Sequence, residues 1–247
     1  MGNPFGSELA ARRYAAGRLD VHGEFARRIA WGLGGRRPLR VLDIGCGTGL
    51  STRALAEAFG FAVGLDVSAP MLREAARRGP LRFLRGRGER LPFPAESFDV
   101  VTMGSAFHWC EPAPLLAEIC RVLGPRRHLA VFDHMLAGRM EGEPRFAEWF
   151  DAYRQRFAAP PRHPGFDPTL VEGFAPSTRE RFEHWIPLTL DALVGYVTSQ
   201  SNVLAAVGAG LRAEDAEAEV RAGLEPFFRG RTVPVKYRGE LDLLRKL

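Results

Sequence analysis

The stretch Val41-Leu-Asp-Ile-Gly-Cys-Gly-Thr-Gly49 decides the fold of this 247-residue chain. Its first half continues an apolar run that starts at Leu39, and such a run predicts a short buried strand. Three glycines follow at every second position, Gly45, Gly47 and Gly49. Because glycine adopts backbone conformations that other residues avoid and lets a ligand approach closely, these glycines predict a tight ligand-binding turn after the strand.

The spacing of these glycines separates two classes of nucleotide ligand. A dinucleotide-binding turn requires the pattern Gly-x-Gly-x-x-Gly, and Leu50 stands where its third glycine would be. The acidic residue before the turn, Asp43, suits an anionic pyrophosphate badly and an ammonium group well. The turn therefore favours a cationic ligand without phosphate, and it disfavours a nicotinamide oxidoreductase.

Apolar runs and helical patterns alternate on both sides of this turn. The predicted helices cover residues 8–34, 50–59, 69–78 and 112–123, and the predicted strands cover residues 39–44, 61–66, 83–84, 98–103 and 128–132. This alternation predicts an α/β fold with a doubly wound, mostly parallel sheet and helices on both faces. Ligands bind such sheets at the carboxyl ends of the strands.

The C-terminal part of the chain has a different pattern. Aromatic residues repeat at helical spacing over residues 146–157, which indicates a packed helix. Two alternating segments complete a seven-stranded sheet, and the helices between them form a helical cap. These strands are predicted at 181–188 and 232–244, and the helices near 190–208 and 213–229. The predicted division is an N-terminal helical cover (1–38), a cofactor-binding core (39–135) and a C-terminal part that completes the sheet and caps the substrate (136–247).

Four further motifs lie at the predicted strand ends or in the first helix. Gly64-Leu-Asp-Val-Ser68 ends the second strand, and the carboxylate of Asp66 is suited to accept hydrogen bonds from both hydroxyls of a ribose. Gly86-Arg-Gly-Glu-Arg-Leu-Pro-Phe93 follows the third strand, and Met103-Gly-Ser-Ala-Phe-His-Trp109 ends the fourth. Tyr14-Ala-Ala-Gly-Arg18 lies in the first predicted helix.

With these motifs, the chain resembles the class I S-adenosylmethionine-dependent methyltransferases over residues 8–133. Residues 41–49 resemble motif I of that family, and the Ala-x-His-Trp stretch is similar to a small-molecule branch with ubiquinone-biosynthesis and trans-aconitate methyltransferases. The resemblance implies a Rossmann-like methyltransferase fold, S-adenosylmethionine as cofactor and a small-molecule methyl acceptor. The acceptor atom, oxygen, carbon or nitrogen, is left open.

The resemblance also implies roles for single residues. The implied cofactor-binding residues are Tyr14, Asp43, Gly45, Cys46, Gly47, Gly49, Asp66, Val67, Met71, Gly88, Glu89 and Ser105. Arg18 and Trp109 are implied to contact the substrate, and His108 is either a general base or part of the pocket wall. Arg87 stands where the family commonly has an acidic residue for the adenine amino group. Adenine is then expected either to bind the backbone at Gly88 and Glu89 or to stack against the Arg87 guanidinium.

The composition limits the alternatives. The net charge of +5 allows nucleic-acid binding, but the arginines are spread along the chain and only Arg82, Arg85, Arg87 and Arg90 lie close together. Nucleic acid is therefore a disfavoured partner, although an RNA or protein methyltransferase stays an alternative. A non-catalytic protein that binds S-adenosylmethionine is another.

Cysteine usage and hydropathy indicate the compartment. The three cysteines, Cys46, Cys110 and Cys120, form no Cys-x-x-Cys pair, so no disulfide framework and no metal site is predicted. No apolar run is long enough to span a membrane, and no signal sequence is recognised at the N-terminus. We therefore expect a cytoplasmic enzyme, and the sequence leaves its oligomeric state open.

Overall fold

The computed structural model describes residues 3–35 and 39–247. Residues 1, 2 and 36–38 belong to the predicted N-terminal cover and lie outside the described residues. The predicted helix over 8–34 is two helices, α1 (Glu8–Gly17) and α2 (His22–Gly32). Arg18 is extended, with φ −74° and ψ 134°, which ends α1. The prediction of one continuous helix was therefore wrong.

The sheet has seven strands in the order β3-β2-β1-β4-β5-β7-β6. The strands are β1 (Leu39–Ile44), β2 (Gly60–Asp66), β3 (Arg82–Arg85), β4 (Phe98–Gly104), β5 (Leu123–Met140), β6 (Phe174–Leu188) and β7 (Val233–Lys246). The first five pair in parallel: β1 with β2 and β4, β2 with β3, and β4 with β5. The predicted doubly wound, mostly parallel sheet is confirmed. The order reverses between β1 and β4, which is where such sheets bind ligands.

Helices connect these strands as the sequence predicts. They are α3 (Leu50–Phe59), α4 (Ala69–Ala76) and α5 (Pro112–Val122). Glycines with positive φ bound α3 on both sides, Gly49 before it and Gly60 after it. Ser68 caps α4, because its hydroxyl accepts a hydrogen bond from the Met71 amide at 3.3 Å.

The later elements are longer or more divided than predicted. The fifth strand extends well beyond the predicted 128–132, and β6 starts seven residues before the predicted 181. The predicted helix over 190–208 is two helices, separated at Ser199 and Gln200. The helices here are α6 (Phe146–Arg156), α7 (Leu190–Thr198), α8 (Ser201–Gly208) and α9 (Ala213–Phe228). None of the helices within 3–35 and 39–247 combines the length and apolarity that a membrane crossing requires.

Internal contacts divide the chain into two compact units. The core unit is Asp20–Asp133, Arg162–Arg181 and Glu240–Leu247, and the helical unit is Met1–Leu19, His134–Pro161 and Phe182–Gly239. The core unit buries apolar side chains of β1, β4 and α5. The helical unit buries the aromatic face of α6 against α7 and α9. The predicted division at residues 38 and 135 concerns roles in ligand binding and stays a prediction.

Candidate active site

The glycine turn lies in the core unit, between β1 and α3. Gly45, Gly47 and Gly49 have φ values of +71°, +53° and +74°, a region that residues with a Cβ rarely adopt. The Gly45 and Cys46 amides both donate to the Leu65 carbonyl, at 2.8 and 3.1 Å. A Cβ at Gly45 would overlap the Cβ of Ala106, so the turn also requires glycine for space.

Asp43 lies beneath this turn and is fully buried. Its carboxylate accepts hydrogen bonds from three hydroxyls, those of Ser51 at 2.6 Å, Thr52 at 2.7 Å and Thr102 at 2.9 Å. Burial raises the pKa of Asp43, while these hydroxyls lower it. The carboxylate thus joins the start of α3 to β1 and β4. Its predicted role toward an ammonium group stays a prediction.

Asp66 connects the end of β2 to the glycine turn. One carboxylate oxygen accepts the Gly47 amide at 2.9 Å, and the other accepts the Ser68 amide at 2.7 Å. Burial raises the pKa of Asp66. The Val67 amide also hydrogen-bonds to this carboxylate, which has about four acceptor sites, so about one remains for a ligand hydroxyl. Next to it Val67 is 47% exposed, whereas Met71 is buried.

The loop after β3 contains two predicted cofactor-binding residues, Gly88 and Glu89, and their environments differ. Gly88 is buried, and a Cβ there would lie 2.7 Å from Leu115 Cδ1. Glu89 accepts a hydrogen bond from the Glu111 amide at 3.0 Å. The exposed Arg87 side chain has its Nε 3.6 Å from a Glu89 oxygen. Arg87 is thus paired with Glu89, and its predicted stacking on adenine stays a prediction.

The end of β4 turns sharply into a short helical turn. Ser105 has φ +51°, unusual for a residue other than glycine, and its amide donates to Phe132 O at 2.8 Å. Residues held in such conformations cluster at functional sites. His108 and Trp109 follow in the turn Phe107–Trp109, with ring centroids 5.0 Å apart.

His108 faces an arginine that the sequence analysis did not anticipate. Its Nε2 lies 3.5 Å from Arg162 Nη1, and its carbonyl accepts the His163 amide at 3.0 Å. Burial, with the Arg162 charge, lowers the pKa of His108 to about 4. The imidazole is therefore neutral at physiological pH.

Asp133 is an acidic residue in this region that the sequence analysis missed. It lies in β5, and the Ser105 side chain forms a hydrogen bond with it. Burial raises its pKa to about 6, with Glu240 adding to the shift and Arg162 and Arg181 opposing it. Its position in the sequence was the signal that could have identified it. Asp133 directly follows the predicted fifth strand, and parallel sheets bind ligands at the carboxyl ends of their strands.

Tyr14 and Arg18 belong to the helical unit. The Arg18 guanidinium lies 4.5 Å from the Tyr14 ring centroid and 5.5 Å from that of Tyr196. The predicted contacts of Tyr14 with the cofactor and of Arg18 with the substrate stay predictions.

Two further observations concern metal binding and surface cavities. Within 3–35 and 39–247, no group of three or more His, Cys, Asp or Glu side chains is arranged to hold a metal ion. A surface groove of about 710 Å³ lies in the core unit, between Arg40, Phe61 and Phe98. Its lining contains none of the predicted site residues.

Comparison with known proteins identifies the family to which residues with this geometry belong. The family described as "Methyltransferase domain" matches residues 42–131, which contain the glycine turn, Asp66 and His108. Residues 42–131 form a methyltransferase domain. The predicted family, enzyme class and cofactor, class I methyltransferase and S-adenosylmethionine, are confirmed at this level.

Three similar proteins extend the comparison. A malonyl-[acyl-carrier protein] O-methyltransferase of Pseudescherichia vulneris is 29% identical over 209 residues, 73% of this chain and 83% of that protein. A demethylmenaquinone methyltransferase of Beutenbergia cavernae is 42% identical over 101 residues, 40% of this chain and 42% of that protein. A solved structure, described as a type II methyltransferase of Anaeromyxobacter dehalogenans, has a TM-score of 0.66 at 24% identity. It covers 91% of this chain and 95% of that chain. This last likeness concerns the fold alone.

Proposed function

We propose that the chain transfers a methyl group from S-adenosylmethionine to a small-molecule acceptor. The observation that carries this proposal is the pairing of the Gly47 amide with Asp66 at the carboxyl ends of β1 and β2. A bare glycine backbone and a carboxylate with a free acceptor site fit a nucleoside that carries an amino acid and no phosphate.

The residues proposed to hold the cofactor divide by the group they suit. The glycine turn with Cys46 suits the methionine part, Asp66 suits the ribose, and the segments at Val67, Met71, Gly88 and Glu89 suit the adenine. Ser105 flanks the turn on the β4 side, because Gly45 packs on its neighbour Ala106. When bound, S-adenosylmethionine supplies a methyl group that its sulfonium leaving group already activates. The chain then has to align the acceptor and exclude water.

A hydroxyl or amine acceptor also needs a group that takes its proton. The core unit offers two candidates, His108 with a pKa of about 4 and Asp133 with a pKa of about 6. We propose Asp133 for this role, because a base is most effective when its pKa lies near the working pH. Ser105 donates to it and orients it. His108 is then part of the pocket wall.

This assignment predicts the pH dependence of the reaction. Asp133 accepts a proton only when ionised, so kcat/KM rises with pH through about 6 and levels off above it. At pH 5 it is roughly tenfold below the plateau. We expect Asp133→Asn to remove this limb and His108→Asn to keep it. A limb near pH 4 that disappears in His108→Asn would show that the histidine is the base.

The names of the relatives support a small methylated group, either free or carried by a protein. The names of two of them specify a malonyl group on acyl-carrier protein and demethylmenaquinone, and the methylated group is small in both. Arg82 and Arg85 are the first and last residues of the edge strand β3, and Arg90 lies in the loop after it. All three are exposed, and RNA would be the competing acceptor for such a basic surface. The scattered cysteines support the cytoplasm as the location.

Methyl incorporation tests this proposal. The full chain is incubated at about physiological salt with labelled S-adenosylmethionine and either a small-metabolite extract or bulk tRNA and rRNA. We expect label in the extract and none in RNA. Stoichiometric label in RNA alone would indicate that Arg82, Arg85 and Arg90 contact RNA phosphates. No label with any acceptor, despite cofactor binding, would indicate a non-catalytic binding protein.

A further inference from the structure

The groove beside the edge strand β3 lies apart from the candidate active site. It occupies about 710 Å³ in the core unit. Its lining includes Arg40 and Phe61, each the second residue of its strand, and Phe98, the first residue of β4. The groove therefore lies at the amino ends of these strands, whereas the glycine turn and Asp66 lie at carboxyl ends. A ligand of this groove is distinct from the cofactor and from the methyl acceptor.

The groove exists because one connection of the sheet has no helix. Helices α3, α4 and α5 connect β1 to β2, β2 to β3 and β4 to β5, but residues 86–97, which connect β3 to β4, form no helix. Phe93 of this connection packs edge-on against Phe98, with ring centroids 4.9 Å apart, and lines the groove. The face of β2 and β3 beyond Phe93 stays open to solvent.

The floor of the groove is apolar. Phe61 of β2 is 40% exposed and Leu84 of β3 is 38% exposed, and the buried Val63 lies on the same face of β2 as Phe61. Exposed apolar side chains that lie together in a concave site indicate a binding surface rather than ordinary protein surface. The volume also lies within the range of about 300–1,000 Å³ that small-molecule sites occupy.

The rim of the groove is positively charged. Arg40 and Arg82 line it, and none of the described residues in its lining is acidic. Within 3–35 and 39–247, no carboxylate lies within 4.0 Å of the Arg82 nitrogens. Arg40 shares the carboxylate of Asp99 with Arg127, at 3.3 and 3.1 Å, so this end of the groove also keeps an excess of positive charge.

We propose that this groove binds a small amphipathic anion, an unbranched acyl chain that ends in a carboxylate. The chain covers Phe61 and Leu84, and the carboxylate pairs with the Arg82 guanidinium, whose parallel N–H groups match its two oxygens. A neutral chain would leave Arg82 without a counter-ion, and a short anion would leave the apolar floor exposed. The charge and the shape of the groove together select a ligand with both parts. This inference does not rest on the proposed methyl transfer.

Calorimetric titration of the full chain with three probes tests this inference. Decanoate carries both parts, acetate carries the carboxylate alone, and decyltrimethylammonium carries the chain with the opposite charge. All are used below the concentrations at which they form micelles. The groove variants are Arg82→Met and Leu84→Gln. Arg85→Met is the matched control, because Arg85 is an exposed residue of the same strand that does not line the groove. Thermal unfolding shows that each variant is folded.

Decanoate is expected to bind, whereas acetate and decyltrimethylammonium show no measurable heat. Arg82→Met weakens decanoate binding roughly three- to fivefold, which is the upper range for an exposed ion pair. Leu84→Gln weakens it roughly five- to tenfold, because the floor loses half-exposed apolar area. Arg85→Met binds decanoate within twofold of the wild type. Saturation with S-adenosylhomocysteine leaves the affinity for decanoate unchanged, because the two sites are separate.

Three results would overturn this inference. One is the absence of decanoate binding, and another is equal binding of decanoate and decyltrimethylammonium. The third is decanoate binding that both folded groove variants leave unchanged, since the ligand would then bind elsewhere. A dimer in sedimentation experiments that Leu84→Gln dissociates, together with no binding of decanoate, would assign the groove to a second copy of the chain. Failure of the proposed function looks different, because decanoate would still bind and S-adenosylhomocysteine would not.

Discussion

Replacing Gly45 by alanine is expected to abolish measurable cofactor binding, with a loss of at least roughly 100-fold. The φ of +71° costs a residue with a Cβ about 1–2 kcal/mol. The new Cβ would also overlap Ala106, and forcing a methyl group into a packed site costs typically about 1–3 kcal/mol. The turn relieves this overlap by moving its backbone, which is the surface proposed to face the cofactor. Titration with S-adenosylhomocysteine measures the loss.

Gly34→Ala is the matched control for this prediction. Gly34 has nearly the same φ, +68°, but an added Cβ there would meet no atom of residues 3–35 and 39–247 within 4 Å. It therefore carries the backbone strain of about 1–2 kcal/mol without the overlap, and its affinity should stay within twofold of the wild type. Equal affinities for the folded Gly45→Ala and Gly34→Ala variants would mean that the turn does not face the cofactor.

Replacing Asp66 by alanine is expected to weaken cofactor binding by roughly 10- to 100-fold. The variant loses the proposed ribose contacts, and hydrogen bonds to a charged group are worth about 1.5–3 kcal/mol each. It also leaves the Gly47 and Ser68 amides without their carboxylate acceptor, so the turn loses support. Water recovers part of this loss. Titration with S-adenosylhomocysteine and a thermal unfolding curve separate the two effects.

Asp99→Ala is the control here. Asp99 also accepts a backbone amide, that of Arg40 at 2.8 Å, but it lies at the amino end of β4. It should lose stability without losing cofactor affinity. Normal affinity in a folded Asp66→Ala variant would show that Asp66 does not bind the ribose.

The parts of the site that could be predicted from the sequence are those that depend on the spacing of neighbouring residues along the chain. The glycine spacing and the position of Asp66 at a strand end are visible along the chain, and the sheet brings them together as parallel pairing requires. Strand β1 was predicted at its observed bounds because a short, mostly apolar segment leads directly into the glycine turn.

The parts that escaped prediction depend on contacts between distant segments. The first helix ends at Gly17, a local helix breaker, but the contact of its backbone with Gly195 comes from a distant segment. The environment of Asp133 depends on Ser105, Arg162 and Glu240, which come from separate segments.

The helical unit gives a second example of the same limitation. Arg18 and Tyr196 lie far apart in sequence and meet only in the fold. Gln200 falls in the predicted helix over 190–208, at the point where the structure divides that helix in two.

Calorimetric titration of the full chain with S-adenosylhomocysteine and with NAD tests the central claim most directly. The turn has positive-φ glycines at 45, 47 and 49 and a buried acidic residue beneath it, so we expect S-adenosylhomocysteine to bind and NAD to show no measurable heat. Binding of NAD with comparable affinity, or of neither ligand, would contradict the account.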